Sequence, residues 1–133
     1  MGLDMYAYKV EKGLISEGTE IDFDSPHGDE YFTEDWYWRK NNYLHGWMEN
    51  LYRRKGGEDS FNCVNLLLTK EDLQELESAI KDKTLVETTG FFFGGDYDYY
   101  GEYGDAKNDL KFVREALYAI EEEGMDVYYS SWW

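Results

Sequence analysis

The order of its periodic segments constrains the fold of this 133-residue chain more than any other feature. Runs in which apolar and polar residues alternate indicate strands, and runs with apolar residues every three or four positions indicate helices. These runs follow one another as strand, helix, strand, helix, a short strand, helix and strand. The order predicts an α+β fold in which about three helices pack in a layer against a mostly antiparallel sheet. The length suits a single domain that spans residues 1–133.

The strand predictions rest on several apolar stretches. Residues 3–10 indicate a strand near the N-terminus, and residues 61–68 read as a buried strand that contains Cys63. Residues 125–133 alternate with a period of two, which places Val127, Tyr129 and Ser131 on one side of the last strand. Residues 20–23 and 88–93 read as two further short strands. A sheet with strands at both ends of the chain is therefore expected.

The first predicted helix is the longest. Thr33 is its candidate N-cap, helical spacing begins at Tyr37, and Gly56 stops it. Its core-facing residues share a spacing of three or four and are Leu44, Met48, Leu51 and Tyr52. The prediction therefore places the whole of residues 37–55 on one helix.

Two shorter helices follow. Thr69 and Asp72 have the spacing of a capping box, which predicts a helix that starts after Thr69. Asn108 or Asp109 is the expected N-cap of the third helix, which ends at Gly124. The residues that these two helices should turn to the core are Leu73, Leu76, Ile80, Leu110, Val113, Leu117 and Ile120.

The charge balance narrows the classes of partner. The chain has 29 acidic and 13 basic residues, a formal net charge of −16. Such a charge repels nucleic acid phosphates and anionic lipid headgroups, so we expect no direct nucleic acid binding and no membrane association. No apolar run approaches the roughly 20 residues that a membrane span needs. A basic protein is the partner that this charge favours.

The composition also limits cofactors and location. Aromatic residues make up 19% of the chain, and disordered acidic chains lack them, so this chain should fold. One cysteine and two histidines are too few for a zinc site built from Cys and His alone. Residues 96–101 are similar to the start of an EF-hand loop, but Lys107 stands where that loop needs a glutamate. We therefore expect no metal and no cofactor, and the single cysteine favours the cytoplasm.

A polar cluster on the first predicted helix is the candidate ligand site. Trp38, Asn42 and His45 are spaced four and three residues apart, so on a helix they share one face, and Arg39 flanks them. A ring, an amide and an imidazole beside a guanidinium could hold a planar or anionic ligand. The alternative is a hydrogen-bonded structural face. Catalysis by Cys63 with His45 is disfavoured, because a cysteine in an apolar strand is expected to be inert.

The stretch Phe-Phe-Phe-Gly-Gly-Asp-Tyr-Asp-Tyr-Tyr-Gly-Glu-Tyr-Gly at residues 91–104 is the candidate interaction surface. Tyrosines supply contact area at little cost in entropy, and carboxylates attract a basic partner. The surface residues predicted here are Asp96, Tyr97, Asp98, Tyr99, Tyr100, Glu102 and Tyr103. The stretch contains no phosphate-binding glycine motif. An acidic loop that merely covers the core is the alternative interpretation.

Several segments together resemble a family of small proteins encoded by bacteria and their phages. They are the opening Met-Gly-Leu-Asp-Met-Tyr, Tyr-Trp-Arg-Lys-x-Asn-x-x-His-x-Trp at residues 37–47, Gly-Phe-Phe-Phe-Gly at residues 90–94, and Tyr-Tyr-Ser-Ser-Trp at residues 128–132. Their order matches the family across nearly the whole chain. The chain differs in having Thr89 where the family has serine, and extra tyrosines and glycines between Asp98 and Asp109.

The resemblance implies a bacterial or viral cytoplasmic setting, and it implies no reaction, cofactor or catalytic residue. From the motif positions we expect the helix face, the triple-Phe turn and the last strand to meet and frame one aromatic pocket. The residues of this expected pocket are Trp38, Arg39, Lys40, Asn42, His45, Trp47, Phe92, Tyr129 and Trp132. A device for packing the core is the alternative.

Two functions are consistent with these features. The first is a non-enzymatic binding protein that presents an acidic, tyrosine-rich surface to a macromolecular partner, such as a basic host protein. The second is a pocket protein or enzyme that takes a small polar or nucleotide-like ligand at the helix face. The sequence leaves the oligomeric state and any catalysis open.

Overall fold

A computed structural model describes residues 2–25, 35–85, 99–102 and 104–133. The elements in chain order are β1 (Asp4–Glu11), β2 (Trp36–Arg39), α1 (Asn42–Arg54), β3 (Leu66–Leu68), α2 (Lys70–Lys81), α3 (Ala106–Glu121) and β4 (Met125–Trp132). The strands form an antiparallel sheet, so the predicted α+β fold is confirmed. Within these ranges, no helix has both the length and the apolar character needed to cross a membrane.

The two terminal strands form the centre of the sheet. β1 and β4 pair over eight residues, from Asp4 opposite Trp132 to Glu11 opposite Met125. β2 flanks β1 and β3 flanks β4, which gives the order β2-β1-β4-β3. Side chains alternate between the two faces of a strand, and directly paired residues share a face. The register therefore assigns every strand residue to one face of the sheet.

The helices lie against one face, which we call the inner face. Met5, Ala7, Val127 and Tyr129 of the central strands belong to the same core cluster as apolar residues of all three helices. The helix residues of this cluster are Leu44, Met48, Leu51, Tyr52, Leu73, Leu76, Ile80, Ala106, Phe112, Val113, Ala116 and Ala119. The opposite, outer face carries a second, smaller cluster.

The smaller cluster covers one end of the outer face. Val10 and Tyr128 are buried there with Ile15, and Phe23 packs against them. Ser25 and the Tyr128 hydroxyl also form a hydrogen bond of 3.2 Å. The segment after β1 therefore folds back over this end of the outer face.

The start of the first helix was predicted wrongly. Residues 36–39 form strand β2, and helix α1 begins only at Asn42, with the side chain of Asn41 accepting from the Leu44 N–H at 3.1 Å. The pairing of β2 with β1 outweighs the local helix signals, since Trp36 and Trp38 fill the inner face. Lys40 turns the chain with a φ of 56°. The predicted cap Thr33 lies outside the described residues.

Two other element predictions need correction. The strand over residues 61–68 shortens to Leu66–Leu68, and Cys63 is exposed rather than buried, with a φ of 61°. Residues 20–23 contribute one isolated bridge, from Ile21 to Leu66. Left-handed backbone at Cys63 is incompatible with a regular strand. The predicted strand at residues 88–93 lies outside the described residues.

The third helix is longer than predicted and turned about its axis. It begins at Ala106, so Asp109 lies inside its first turn and is not its cap. Its buried face is Ala106, Asp109, Phe112, Val113, Ala116 and Ala119, whereas the predicted core residues Leu110, Leu117 and Ile120 are half-buried. Alanine side chains are small and allow close packing. Apolar spacing alone favoured the larger leucines and isoleucine over these alanines as core residues. The capping box of α2, in contrast, is confirmed.

Candidate functional site

A buried cluster of polar side chains joins β2, α1 and α3, and we call it the inner network. At its centre is Asp109, which is fully buried. Its carboxylate accepts hydrogen bonds from Trp38 Nε1 and Asn41 Nδ2, both at 2.9 Å, and from the Tyr99 hydroxyl. Tyr99 in turn stacks on Tyr43 of α1, with ring centroids 4.5 Å apart. One carboxylate thus ties together four separate segments of the chain.

The charge of Asp109 is set by competing influences. Burial raises the pKa of the Asp109 carboxyl from 3.8 to about 7, while the hydrogen bonds from Tyr99, Asn41 and Trp38 lower it. The nearby Asp105 carboxylate raises the pKa further, because two like charges repel. The penalty of burial is the largest of these effects. Asp109 therefore changes its protonation near neutral pH.

His45 and Tyr129 form a second buried pair close to the inner network. Nδ1 of His45 lies 2.7 Å from the Tyr129 hydroxyl, and the imidazole ring packs against Phe61 with centroids 5.1 Å apart. Burial lowers the pKa of His45 to about 4 and raises the pKa of Tyr129 well above 10. Both groups are neutral at neutral pH. His45 therefore offers no positive charge to a ligand.

Asn42 is the first residue of α1, and its side chain is buried. Within the described residues, neither its amide nitrogen nor its amide oxygen has a hydrogen-bond partner. Buried polar groups in native proteins rarely lack partners, because each costs about 1–3 kcal/mol. Its neighbour Asn41 shows the contrast, since that amide both caps α1 and donates to Asp109. Among the described residues, no hydrogen bond therefore offsets the cost of burying the Asn42 amide.

The outer face of the sheet carries a separate group of residues. Asp4 of β1 lies directly between Arg39 of β2 and Trp132 of β4, and in the next outward-facing row Tyr6 lies opposite Tyr37. The Tyr37 hydroxyl donates to Oδ1 of Asp4 at 2.6 Å. This hydrogen bond is the main reason that the pKa of Tyr37 is raised. We call Asp4, Tyr6, Tyr37 and Trp132 the outer-face patch.

Aromatic rings run from the outer-face patch to the smaller apolar cluster. The ring of Tyr6 lies 5.5 Å from that of Tyr37 and 6.4 Å from that of Tyr8, and Tyr8 lies 5.0 Å from Tyr128. Tyr128 is buried, whereas Tyr37 is 49% exposed and Trp132 is 63% exposed. One end of this tyrosine row is thus core and the other is accessible. No helix of the described chain packs on this face.

The sheet divides the residues predicted to form one pocket. Trp38, Asn42, His45 and Tyr129 lie on the inner side and are buried, although Trp38 is on a strand and does not share a helix face with the others. Arg39 and Trp132 lie on the outer side, because each is adjacent to an inward-facing residue of its strand. Of the other predicted residues, Lys40 is exposed, Trp47 is half-buried and Phe92 lies outside the described residues.

The predicted interaction loop is described only in part. Asp96, Tyr97, Asp98 and Tyr103 lie outside the described residues. Glu102 is exposed, but Tyr100 is half-buried and donates to the Leu85 carbonyl at 3.0 Å. Tyr99 is 1% exposed, so its assignment to a surface was wrong. Its hydroxyl reaches the Asp109 carboxylate, which allows this ring to be buried.

The residues at the centres of the inner network and of the outer-face patch were not identified from the sequence. Asp109 was interpreted as a helix cap, and no sequence signal marks it as buried, because aspartate is almost never fully buried unless it is paired. Tyr6 and Tyr37 were not singled out, although the alternating pattern of residues 36–39 placed Tyr37 opposite to Trp36 and Trp38. The sequence does not indicate which segments supply the partners. Tyr37 and Asp4 are 33 positions apart, and Asp109 is 68 positions from Asn41 and 71 from Trp38, whereas Tyr99 is only 10 positions from Asp109.

Comparisons with family models, with curated proteins and with solved structures found no match. In the described part of the chain, no three Asp, Glu, His or Cys side chains lie close enough together to hold a metal ion.

Proposed function

We propose that this chain is a non-enzymatic binding protein whose outer-face patch docks a basic protein partner. The observation that carries the proposal is the tyrosine row that ends in the exposed Tyr37, beside the exposed Trp132. Large aromatic side chains are enriched at the centres of protein interfaces, where they bury much area at little entropic cost. An accessible sheet face with such residues suits a macromolecular partner better than a small ligand.

Charge supports a basic partner. The formal net charge of −16 attracts positive surfaces over long distances and repels acidic ones. Within the patch, the Asp4 carboxylate accepts one hydrogen bond from the Tyr37 hydroxyl, and its neighbours on the flanking strands are Arg39 and Trp132. Its remaining lone pairs can accept from a lysine or arginine side chain, and the Trp132 ring can take a cation on its face. The patch thus combines long-range attraction of a basic partner with local contacts to its positively charged side chains.

The inner network supports this function indirectly. Trp38 lies between Tyr37 and Arg39 on β2, and its indole N–H is held by the buried Asp109 carboxylate. β2 is a flanking strand of four residues, so this bond fixes it from the inner side. A fixed β2 keeps the Tyr37 ring in place before binding, which reduces the entropy lost on docking.

The cellular location of the protein is part of the proposal. We propose a cytoplasmic location in a bacterium or an infected host cell. Its support is the motif resemblance to the phage and bacterial family, and the single cysteine, Cys63, whose thiol is exposed and would stay reduced there.

The experiment measures binding of a short lysine- and arginine-rich peptide by calorimetry, with a glutamate-rich peptide of equal length as the control. We expect binding of the basic peptide alone, weakening steeply as salt is raised. Trp132→Ala should weaken binding about tenfold if Trp132 is an anchor of the interface. Tyr6→Ala should weaken it as well, because it removes the neighbour that supports the Tyr37 ring.

The matched control is Tyr118→Ala, because Tyr118 on α3 is 60% exposed and lies on the side of the sheet away from the patch. It removes the same kind of exposed aromatic ring without touching the outer face. The proposal fails if Tyr118→Ala weakens peptide binding as much as Trp132→Ala. Attraction of the peptide to the overall charge would give that result.

A further inference from the structure

Only some of the basic side chains of this acidic protein form ion pairs among the described residues. Seven of the 13 basic side chains form ion pairs with carboxylates of the described residues, namely Lys9, Arg53, Arg54, Lys55, Lys70, Lys81 and Arg114. Within the same residues, no carboxylate pairs with Lys12, Arg39, Lys40, Lys83, Lys107 or Lys111. Four of these six lie at the end of β2 and in the first turns of α3.

A cleft of about 340 Å³ lies between β2 and α3, and two of these four cations line it. Arg39 lines it from β2, and Asn108 and Lys111 line it from α3. Its wall is aromatic, since Trp36 and Phe112 also line it with their rings edge to face at 5.0 Å. The volume is at the lower end of the range for small-molecule sites. An apolar wall with converging donors is the usual composition of such a site.

Two further cations lie beside the cleft. Lys107 is one helical turn before Lys111 on α3. A β-carbon added at Gly2 would lie 3.2 Å from Nη2 of Arg39 and 3.2 Å from Cε of Lys40, so both side chains extend over this glycine. The end of β2 therefore carries two adjacent positive charges.

Two carboxylates also line the cleft. Glu115 accepts the indole N–H of Trp36 at 2.9 Å, and Asp105 immediately precedes α3. The Glu115 carboxylate is thus engaged with the aromatic wall. An anionic group has its best position at Arg39, Asn108 and Lys111, with the uncharged body of the ligand over Trp36. A ligand with negative charge at both ends would meet these carboxylates.

We propose that this cleft binds a small molecule that carries one carboxylate or phosphate group on a planar apolar body. Lys111 supplies a point charge and Asn108 an amide donor, and the exposed guanidinium of Arg39, which lies over Gly2 in the unbound protein, turns towards the bound anion and adds a fork of N–H donors. The indole of Trp36 gives the body an aromatic wall. This site goes beyond the docking function, because Asn108 and Lys111 belong to α3 on the other side of the sheet from Trp132; Tyr37 of the outer-face patch also lines the cleft.

The test uses benzoate and phenyl phosphate as probes, with benzylamine as the cation of matched shape. For a protein of charge −16, attraction to the overall charge favours benzylamine. We expect the reverse order, with saturable binding of at least one anion and a shift of the Trp36 indole N–H resonance in two-dimensional NMR. If both anions fail to bind at millimolar concentration, or if benzylamine binds more tightly, the cleft is not an anion site.

Variants locate the binding. Lys111→Ala and Arg39→Ala should each weaken anion binding tenfold or more, as expected for the loss of a charge-assisted contact. Lys83→Ala is the matched control, since Lys83 is also exposed, also has no ion pair among the described residues, and follows α2. An equal loss in Lys83→Ala and Lys111→Ala would overturn the proposal.

The two proposals can fail separately. Trp132→Ala should weaken binding of the basic peptide and leave anion binding unchanged. Lys111→Ala should do the opposite. A Trp132→Ala variant that loses the anion as well would refute the assignment of the anion to the β2–α3 cleft.

Discussion

Replacing Asp109 by asparagine should change how the stability of this protein depends on pH. Asparagine keeps the shape of the side chain and, like the protonated acid, has one oxygen that accepts and one group that donates. With its oxygen in the place of Oδ2 it still accepts from Asn41 and Tyr99, while its NH2 group takes the place of Oδ1 and loses the hydrogen bond from Trp38. The variant therefore loses the titration and one hydrogen bond, and the loss of that hydrogen bond is the same at every pH. Any change in the pH profile then reports the buried carboxyl itself.

The sign follows from the direction of the pKa change. Burial raises the pKa of Asp109 from 3.8 to about 7, so between these values the folded protein holds a proton that the unfolded chain has released. The contribution of Asp109 is fully present below the unfolded pKa and is lost as the pH rises through the folded pKa. One pKa unit corresponds to about 1.4 kcal/mol, so the loss is about 4 kcal/mol in total. This is a large share of the stability of a typical domain.

His45 acts in the opposite direction. Burial lowers its pKa from 6.5 to about 4, so between these values the unfolded chain holds a proton that the folded protein lacks. Its contribution is present above the unfolded pKa and is lost as the pH falls, by about 3 kcal/mol. Between about pH 4 and pH 6.5 the two slopes nearly cancel in the wild-type protein. Asp109→Asn should remove the slope that Asp109 causes, so that the rise of the unfolding free energy with pH that His45 causes becomes measurable.

The assay is urea unfolding of both proteins at a series of pH values, with the difference in unfolding free energy as the result. Taking the difference removes the contributions of the other titrating groups, which both proteins share. The difference should grow in favour of Asp109→Asn by about 1.4 kcal/mol per pH unit and level off above pH 7. Parallel pH profiles would refute the reasoning, because they would mean that Asp109 is ionised in the folded protein throughout this range.

Other substitutions test separate parts of the fold. Thr69→Ala should lower the unfolding free energy by about 1 kcal/mol in urea titrations while Thr69→Ser does not, because the Thr69 hydroxyl accepts a backbone N–H in the first turn of α2. Gly57→Ala should lower the melting temperature by several degrees, since a β-carbon would overlap the buried Tyr52 ring; an unchanged value would mean that the ring moves aside. Lys55→Met should lower the unfolding free energy by about 3 kcal/mol in the same titrations, because the part-buried ammonium holds two carboxylates. If this loss of stability disappears at high salt concentration, the ion pairs are screened by solvent and the prediction is wrong. Asn42→Leu should leave the melting temperature unchanged or higher, as its buried amide lacks partners among the described residues, and a clear decrease would show that the amide is satisfied.

Features encoded by neighbouring residues were predictable from the sequence. The capping box of α2 needs only Thr69 and Asp72, and the structure has both of its hydrogen bonds. The last strand, Met125–Trp132, was readable from its alternation, and Val127 and Tyr129 do face the core that the helices cover. The α+β class followed from the order of such local signals. In each case the physical cause lies within a few positions of the chain.

Features that depend on distant partners were not predictable. Residues 36–39 read locally as the first turn of a helix, and they became a strand because β1 offers a pairing edge about 30 positions away. Asp109 can be buried because Trp38, Asn41 and Tyr99 donate hydrogen bonds to its carboxylate. No short sequence pattern indicates that three segments will supply these donors. The expected single pocket failed for the same reason. Whether Arg39 and His45 meet depends on the face that each residue of β2 takes, which the pairing register decides.

The short strand β2 carries residues of all three candidate regions, and this governs how the proposals can be tested. Tyr37 belongs to the outer-face patch, Trp38 is held by the inner network, and Trp36 lines the β2–α3 cleft. A substitution within β2 can therefore disturb several regions at once by shifting a strand of four residues. Trp132 on β4 and Lys111 on α3 avoid this difficulty, because each side chain belongs to one region only. If each of these two variants affects only its own ligand, docking and anion binding are independent; if both ligands are lost together, the position of β2 is the property that both of them require.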